Sequence, residues 1–375
     1  MTGPVPNPGI LDIAPYVGGE AHAPGAAKLV RLASNEGALG PSPRAMEAYR
    51  ALGDAIHRYP DGGSSALRQG LAKRHGLDAG RIVCGAGSDE LLQLLAKAYA
   101  GPGDEVLYSR HGFLVYPIAA KAAGATPVAA PETDLRTDVD ALLAHVTERT
   151  RIVFVANPNN PTGSYIPRDE MARLHAGLPG HVLLVVDAAY AEYVDAADYS
   201  DGSELVERHA NVVMTRTFSK IYALGGMRLG WAYCGQGVAD VLNRVRGPFN
   251  VSSAAQAAGL AALEDVAFIE ESRRHNLVWR AWFTDRLRQD GLTVHPSVGN
   301  FVLVSFRDLP SDRADAEAAR QHLKSKGILV RQMGAYGLPD CLRITIGLEE
   351  EMRAVADALA EWVRAERVPA EQVPG

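Results

Sequence analysis

Four short segments of this 375-residue chain bring together side chain types that do chemistry in combination. Ala86, Gly87 and Ser88 follow the apolar run RIVCG and open a helical pattern, so backbone N–H groups and the positive end of a helix point at one spot suited to a dianion. The run RIVFVA leads into NPNNPTG, an amide cluster that holds Asn160. HVLLVVD ends on Asp187 with Tyr190 three residues on; NVVMT runs into RTFSK, which holds Thr217, Ser219 and Lys220, and Arg228 stands eight residues past the lysine. An amine can hold an aldehyde as a Schiff base, and a carboxylate can keep a heteroaromatic nitrogen protonated so that the ring absorbs electrons. Singly, each has a plainer use: lysines are mostly solvated, an Asp at a strand end is commonly a helix cap, and a Gly-rich turn is often only a turn. Their order and shared location favour the chemical reading.

The elements that must position these groups follow from the apolar pattern. From Arg81 to about Cys234 the runs RIVCG, EVLYS, TPVAA, RIVFVAN, HVLLVVD, NVVMT and LGWAYC alternate with amphipathic stretches such as SDELLQLLAKAYAG. Strands apolar throughout and separated by helices predict an α/β fold with a mostly parallel, seven-stranded sheet covered on both faces. The last run follows its predecessor without a clear helix, which suits an antiparallel strand. In such sheets ligands bind at the carboxyl ends of the strands, where the four segments fall. After Pro248 a single long helix is expected from SSAAQAAGLAALEDVAFIEESRRHNLVWRAWFTDRLRQDG, bridging to a smaller α+β domain. The expected division is an arm over 1–30, a large domain over 49–270, and a small domain over 31–48 and 271–375, with the tail VPAEQVPG frayed.

Composition narrows the setting. A net charge of -6 and no basic cluster give nucleic acid or an anionic membrane little to bind. Cys84, Cys234 and Cys341 lie far apart in no metal-ligand or redox spacing, so no metal and a reducing, cytoplasmic setting are expected. No segment reads as a secretion signal or membrane helix.

Pyridoxal phosphate asks for the set described first. Lys220 would hold its aldehyde, Asp187 its ring nitrogen, and the turn at Ala86 to Ser88, with Thr217, Ser219 and Arg228, its phosphate; Asn160 and Tyr190 are candidates for the ring oxygen. Over nearly the whole chain the sequence resembles the aspartate aminotransferase-type superfamily of fold-type I pyridoxal-phosphate enzymes, and within it most the histidinol-phosphate aminotransferase family. The matching stretches include ILDIAPYVGG, LASNEGALGPSP, RYPDGG, GAGSDELL, SRHGFLVYPI, ANPNNPTG, VVDAAYAEY, TRTFSKIYALGGMRLGW and LRITIG.

That resemblance implies Phe113 stacked on the cofactor ring, Tyr59 reaching the phosphate across a homodimer interface, and Arg343 gripping the substrate anion. It also places Tyr16, Asn35 and Arg331 among the substrate ligands. The implied reaction exchanges histidinol phosphate and 2-oxoglutarate for imidazole-acetol phosphate and glutamate. An aromatic amino acid aminotransferase and a phosphothreonine-type decarboxylase stay open. A nicotinamide oxidoreductase lacks its third glycine and leaves Lys220 and Asp187 without a role. The chain departs from the family pattern at Gly37 and Ala38, at Ala188 and at Ile221, which bears on substrate preference.

Overall fold

Runs of Val, Ile and Leu form the strands, and their alternation decides which core each side chain enters. The computed structural model describes residues 3–20, 29–310 and 315–364. In chain order the strands are β1 (Val30–Leu32), β2 (Ile82–Gly85), β3 (Glu105–Ser109), β4 (Thr126–Ala130), β5 (Glu132–Thr133), β6 (Arg136–Thr137), β7 (Thr150–Ala156), β8 (Leu183–Asp187), β9 (Val212–Thr217), β10 (Gly230–Cys234), β11 (Thr293–His295), β12 (Phe301–Ser305), β13 (Ile328–Gln332) and β14 (Cys341–Thr345).

Seven of them make one sheet in the order β2-β10-β9-β8-β7-β3-β4. All pairs are parallel except those of β10, which runs antiparallel to β2 and β9. The antiparallel strand has a simple cause: its connection from β9 holds only the 3-10 turn Gly225–Met227, with no crossover helix to reverse the chain. Along β7, Ile152, Phe154 and Ala156 enter one core layer while Val153 and Val155 enter the other. Both faces are therefore covered, as the uninterrupted apolar runs require.

The second sheet has the order β1-β13-β14-β12-β11. Val302, Val304, Leu342 and Ile344 face a core shared with the helices Val266–Gln289, Ala316–Ser325 and Glu349–Arg364. Their alternates, Leu303 and Arg343 among them, turn to the opposite face. Strand β1, parallel to β13, was not expected from the sequence: a three-residue V-R-L alternation beside a Pro-rich arm is too short to read. The β5–β6 hairpin is equally short and was also not expected.

The single long helix expected after Pro248 is in fact two, Ser253–Glu264 and Val266–Gln289, broken at Asp265, whose ψ of 66 is not helical. Asp competes poorly for helix interiors and well for their ends. The break lets Ala255, Ala258 and Ala262 pack on the large sheet while Phe283 and Leu287 pack on the small one. Ala45, in the helix Pro43–Arg50, joins the core of the large sheet. The arm, described over residues 3–20, is tied down by Lys121 Nζ on Asp12 O (3.0 Å) and by Glu20 paired with Arg320 (2.9 Å) and Lys324 (3.0 Å). The tail VPAEQVPG, expected to be frayed, and residues 21–28 of the arm lie outside the described residues.

Candidate active site

The carboxyl edge of the large sheet and the outer face of the small one enclose a cavity of about 240 Å³. From the large sheet it takes Ser88, Phe113, Asn160, Asp187, Tyr190, Thr217, Ser219, Lys220 and Arg228; from the arm and the small sheet, Tyr16, Asn35, Arg331 and Arg343. Three expected site residues do not line it. The N–H of Ala86 donates to Glu90 Oε2 (2.6 Å), which also binds Asn250, so this amide is turned away from an anion. Gly87 sits just behind the wall. Tyr59 lies on the outer surface, 82% exposed and stacked on Phe249 at 4.6 Å.

Asp187 ends β8 and is buried, with Tyr116 O–H donating to Oδ2 (2.9 Å) and Thr215 O–H to Oδ1 (3.4 Å). Neither partner was expected from the sequence. No cation pairs with this carboxylate among the described residues, and burial pushes it up to about 6. A buried carboxylate held only by neutral donors suits a positively charged ring nitrogen, which would favour its ionised form.

Lys220 follows β9 in a tight turn. Phe218 and Ile221, both sunk in the core, flank it and leave its side chain facing the cavity. Its Nζ donates to Ser34 O (3.1 Å) and stands 5.7 Å from the centre of the Tyr190 ring. Burial first, and then the charge of Arg343, lower it to about 8. This is the property a lysine needs to act as nucleophile and base near neutral pH.

At the other end the helix Ser88–Tyr99 begins after Gly87, whose φ is 87°. A Cβ there would fall 2.5 Å from Arg228 Nη2, and one at Gly230 would run into the Ser88 backbone. Glycine at both positions thus lets the guanidinium and the helix end share one corner. Arg228 donates to Ser219 Oγ (3.3 Å), Gly225 O (3.1 Å) and Asp89 Oδ2 (3.2 Å). Helix end, hydroxyls and guanidinium form a cradle for a phosphate.

Across the cavity Arg343 donates to Asn160 Oδ1 (2.5 Å) and Ala33 O (2.7 Å), and its buried Nε has no partner among the described residues. Arg331 donates to Val17 O (2.6 Å) and lies 5.9 Å from the Tyr16 ring. The departures at Gly37, Ala188 and Ile221 all lie behind the cavity wall. A Cβ on Gly37 would come within 2.7 Å of Ala223 Cβ, while Ala188 and Ile221 are buried in the large core.

An amine, a buried carboxylate, a helix end beside a guanidinium and two further arginines, on a seven-stranded sheet with a second smaller sheet above it, are the parts an aminotransferase uses. Residues 27–359 match the family described as aminotransferase class I and II, and the chain belongs to that family. Among individual proteins, it is 72% identical over 364 residues to the histidinol-phosphate aminotransferase of Rhodospirillum centenum, covering 97% of this chain and 100% of that one. The protein of that name from Paramagnetospirillum magneticum is 63% identical, with 97% and 100% covered. Among solved structures, histidinol-phosphate aminotransferase from Sinorhizobium meliloti in complex with pyridoxal-5'-phosphate superposes with a TM-score of 0.87 at 31% identity, covering 95% of this chain and 96% of that one.

Proposed function

We propose that this chain is a pyridoxal-phosphate-dependent aminotransferase that interconverts histidinol phosphate and 2-oxoglutarate with imidazole-acetol phosphate and glutamate. The observation that carries the chemistry is the buried Asp187, without a cationic partner among the described residues, in one cavity with a lysine of lowered proton affinity. Full-length likeness to histidinol-phosphate aminotransferases selects the substrate.

In this reading Asp187 holds the cofactor's ring nitrogen, Phe113 its ring face, and Asn160 and Tyr190 its ring oxygen. Ser88, Thr217, Ser219 and Arg228 hold its phosphate, and Gly87, whose own N–H donates to Gly85 O (2.8 Å), leaves the room they need. When bound, pyridoxal phosphate supplies an aldehyde that condenses with amines and a ring that takes up the electron pair left by a departing proton. Lys220 Nζ, once displaced by the amino donor, removes the α-proton and returns it during the exchange. Asp187 keeps its negative charge against the ring nitrogen. Arg343 orients the substrate by its anion: histidinol phosphate carries a phosphate where an amino acid carries its carboxylate, and a planar guanidinium donates to either.

The chain is further read as a cytoplasmic homodimer. The exposed Tyr59–Phe249 stack, with Tyr49 and Ile56 also exposed, supplies an apolar face, and the partner subunit's Tyr59 would complete the phosphate cradle. No described helix is long and apolar enough to cross a membrane, and the three cysteines are free and buried. The test is a panel of donors and acceptors on the purified protein. Histidinol phosphate with 2-oxoglutarate is expected to be the best pair, and borohydride to erase the visible band and fix the cofactor to Lys220. Far better turnover of phenylalanine or tyrosine would replace this reading with the aromatic one; release of carbon dioxide without a keto acid would replace it with the decarboxylase.

A further inference from the structure

Tyr190 belongs to a chain of hydrogen bonds that leaves the cavity and ends on the small sheet. Asn35 is buried with φ of 55°, in the left-handed region that asparagine tolerates better than most residues. Its backbone is clamped there: Asn300 Nδ2 donates to Asn35 O (3.0 Å) and to Glu36 O (3.1 Å), and Asn35 N–H donates to Thr345 Oγ1 (3.0 Å). Thr345 lies on the same face of β14 as Arg343, two residues away.

The direction of each proton in this chain can be worked out. Thr345 Oγ1 already accepts from the Asn35 backbone, and its hydroxyl hydrogen is directed to Asn35 Oδ1 (3.2 Å). Turning the amide over would strand the hydrogen of the buried Thr345 hydroxyl, so Oδ1 faces Thr345 and Nδ2 donates to the Tyr190 hydroxyl oxygen (2.9 Å). A phenol has one hydrogen. With Asn35 as its donor, Tyr190 has no need to give that hydrogen back to the protein on this side, and its ring lines the cavity.

We propose that Thr345 and Asn35 form a one-way relay that turns the Tyr190 proton into the cavity, making Tyr190 an obligate donor to the ring oxygen of the cofactor. The proposal rests on the functional reading above and assigns Asn35 a positioning role in place of direct substrate contact. Thr345 and Asn300 are added to the residues that build the site. The relay spans both sheets, so Tyr190 is aimed only when the small sheet is seated over the large one.

The relay is tested by the pH titration of the visible band of the holoenzyme, with kcat and KM measured beside it. A hydrogen bond donated to an ionised oxygen favours the ionised form, so losing the donor moves the midpoint upward. Tyr190→Phe sets the full shift. Thr345→Val keeps the shape of the side chain but removes the hydroxyl, which frees the Asn35 amide to turn its oxygen toward Tyr190 and capture the proton. It is expected to shift the midpoint in the same direction by at least about 0.5 pH unit, and to lower kcat several-fold with KM within about twofold of wild type. Thr345→Ser should restore the wild-type midpoint, and Asn35→Asp, which offers only acceptors, should shift it upward too. The other titratable groups around Tyr190, namely Lys220, Arg343, Asp187, Tyr116, Tyr193 and Tyr336, are untouched by Thr345→Val.

A wild-type midpoint in Thr345→Val, or an unshifted Tyr190→Phe, overturns the relay while leaving the functional reading intact. A wild-type protein that takes up no pyridoxal phosphate and shows no visible band overturns the functional reading, and the relay with it.

Discussion

The wall of the cavity built by the large sheet holds its charges differently from the wall built by the small sheet and the arm. On the large-sheet side Asp187 is fixed by Tyr116 and Thr215, and Lys220 hangs between two core anchors, Phe218 and Ile221. The supports of these two residues on the large-sheet side are strands or side chains sunk in the core. On the other side Arg331 and Arg343 are register partners on β13 and β14, like charges set across from each other. Such a pair is unfavourable by itself and suits a site that receives an anion. The two arginines are not equal: Arg343 is buried against Asn160 and Ala33, whereas Arg331 is partly exposed and leans on Val17 and Tyr16 of the arm. In the proposed function, the difference would separate groups needed for any amine from groups that discriminate among amines.

The largest effect is expected on the large-sheet wall. In the proposed function, Lys220→Ala would remove nucleophile and base together, and Asp187→Asn the charge that opposes the ring nitrogen. Each should lower kcat by about a thousandfold or more for every donor tested. Pre-steady-state absorbance should show Lys220→Ala still able to bind the cofactor without the borohydride-stable link. Near-normal turnover in either variant would erase the distinction between the walls.

Arg343 should come next. Its loss takes a charged donor from the substrate and leaves Asn160 Oδ1 and Ala33 O without their partner inside the protein. Arg343→Ala is expected to reduce kcat/KM by about a hundredfold for histidinol phosphate and for glutamate alike, at the upper end for a charged hydrogen bond. A loss confined to one substrate would move Arg343 to the discriminating side.

The contrast between the walls also marks what the sequence discloses. The seven strands of the large sheet were legible because each is an apolar run bounded by turn residues, Asp187 and Lys220 because they stand at or just past the ends of such runs, and Arg228 by its spacing of eight residues from the lysine. Tyr116 and Thr215 were not: each touches Asp187 through space, and no spacing in the chain joins Tyr116 to a residue 71 positions later. Ala86 looked free because Glu90, four residues on, reads as an ordinary acidic residue of a first helical turn. Thr345 was hidden for the same reason as Tyr116, being 310 residues from Asn35. The break at Asp265 eluded the helical pattern because apolar periodicity continues through it.

A third measurement joins the two walls through charge. Lys220 is lowered to about 8 by burial and by Arg343. In the cofactor-free protein the neutral amine is the reactive form, so capture of a simple aldehyde should rise with pH through a midpoint near 8. Arg343→Ala removes a like charge and should move that midpoint upward, slowing capture at neutral pH. An unmoved midpoint would show that burial alone sets the amine and that the walls are electrostatically independent.

The smallest effect expected is the most selective one. Arg331 is held by a backbone carbonyl of the arm and stands near the face of Tyr16, which is 53% exposed. Its charge is partly screened by solvent, so the loss of one donor should be worth less than at Arg343. A phosphate, however, offers three oxygens and close to two charges where a carboxylate offers two oxygens and one, so a second guanidinium matters more to it. Arg331→Ala is therefore expected to lower kcat/KM for histidinol phosphate by about tenfold and for glutamate by no more than about twofold, with Tyr16→Phe following the same order at smaller size. Raising the salt concentration should weaken the wild-type preference and leave the Arg331→Ala values nearly flat. Equal losses for both substrates would place Arg331 with Arg343. No loss for either would leave Arg331 as the fastening of the arm, with the phosphate read by Arg343 alone.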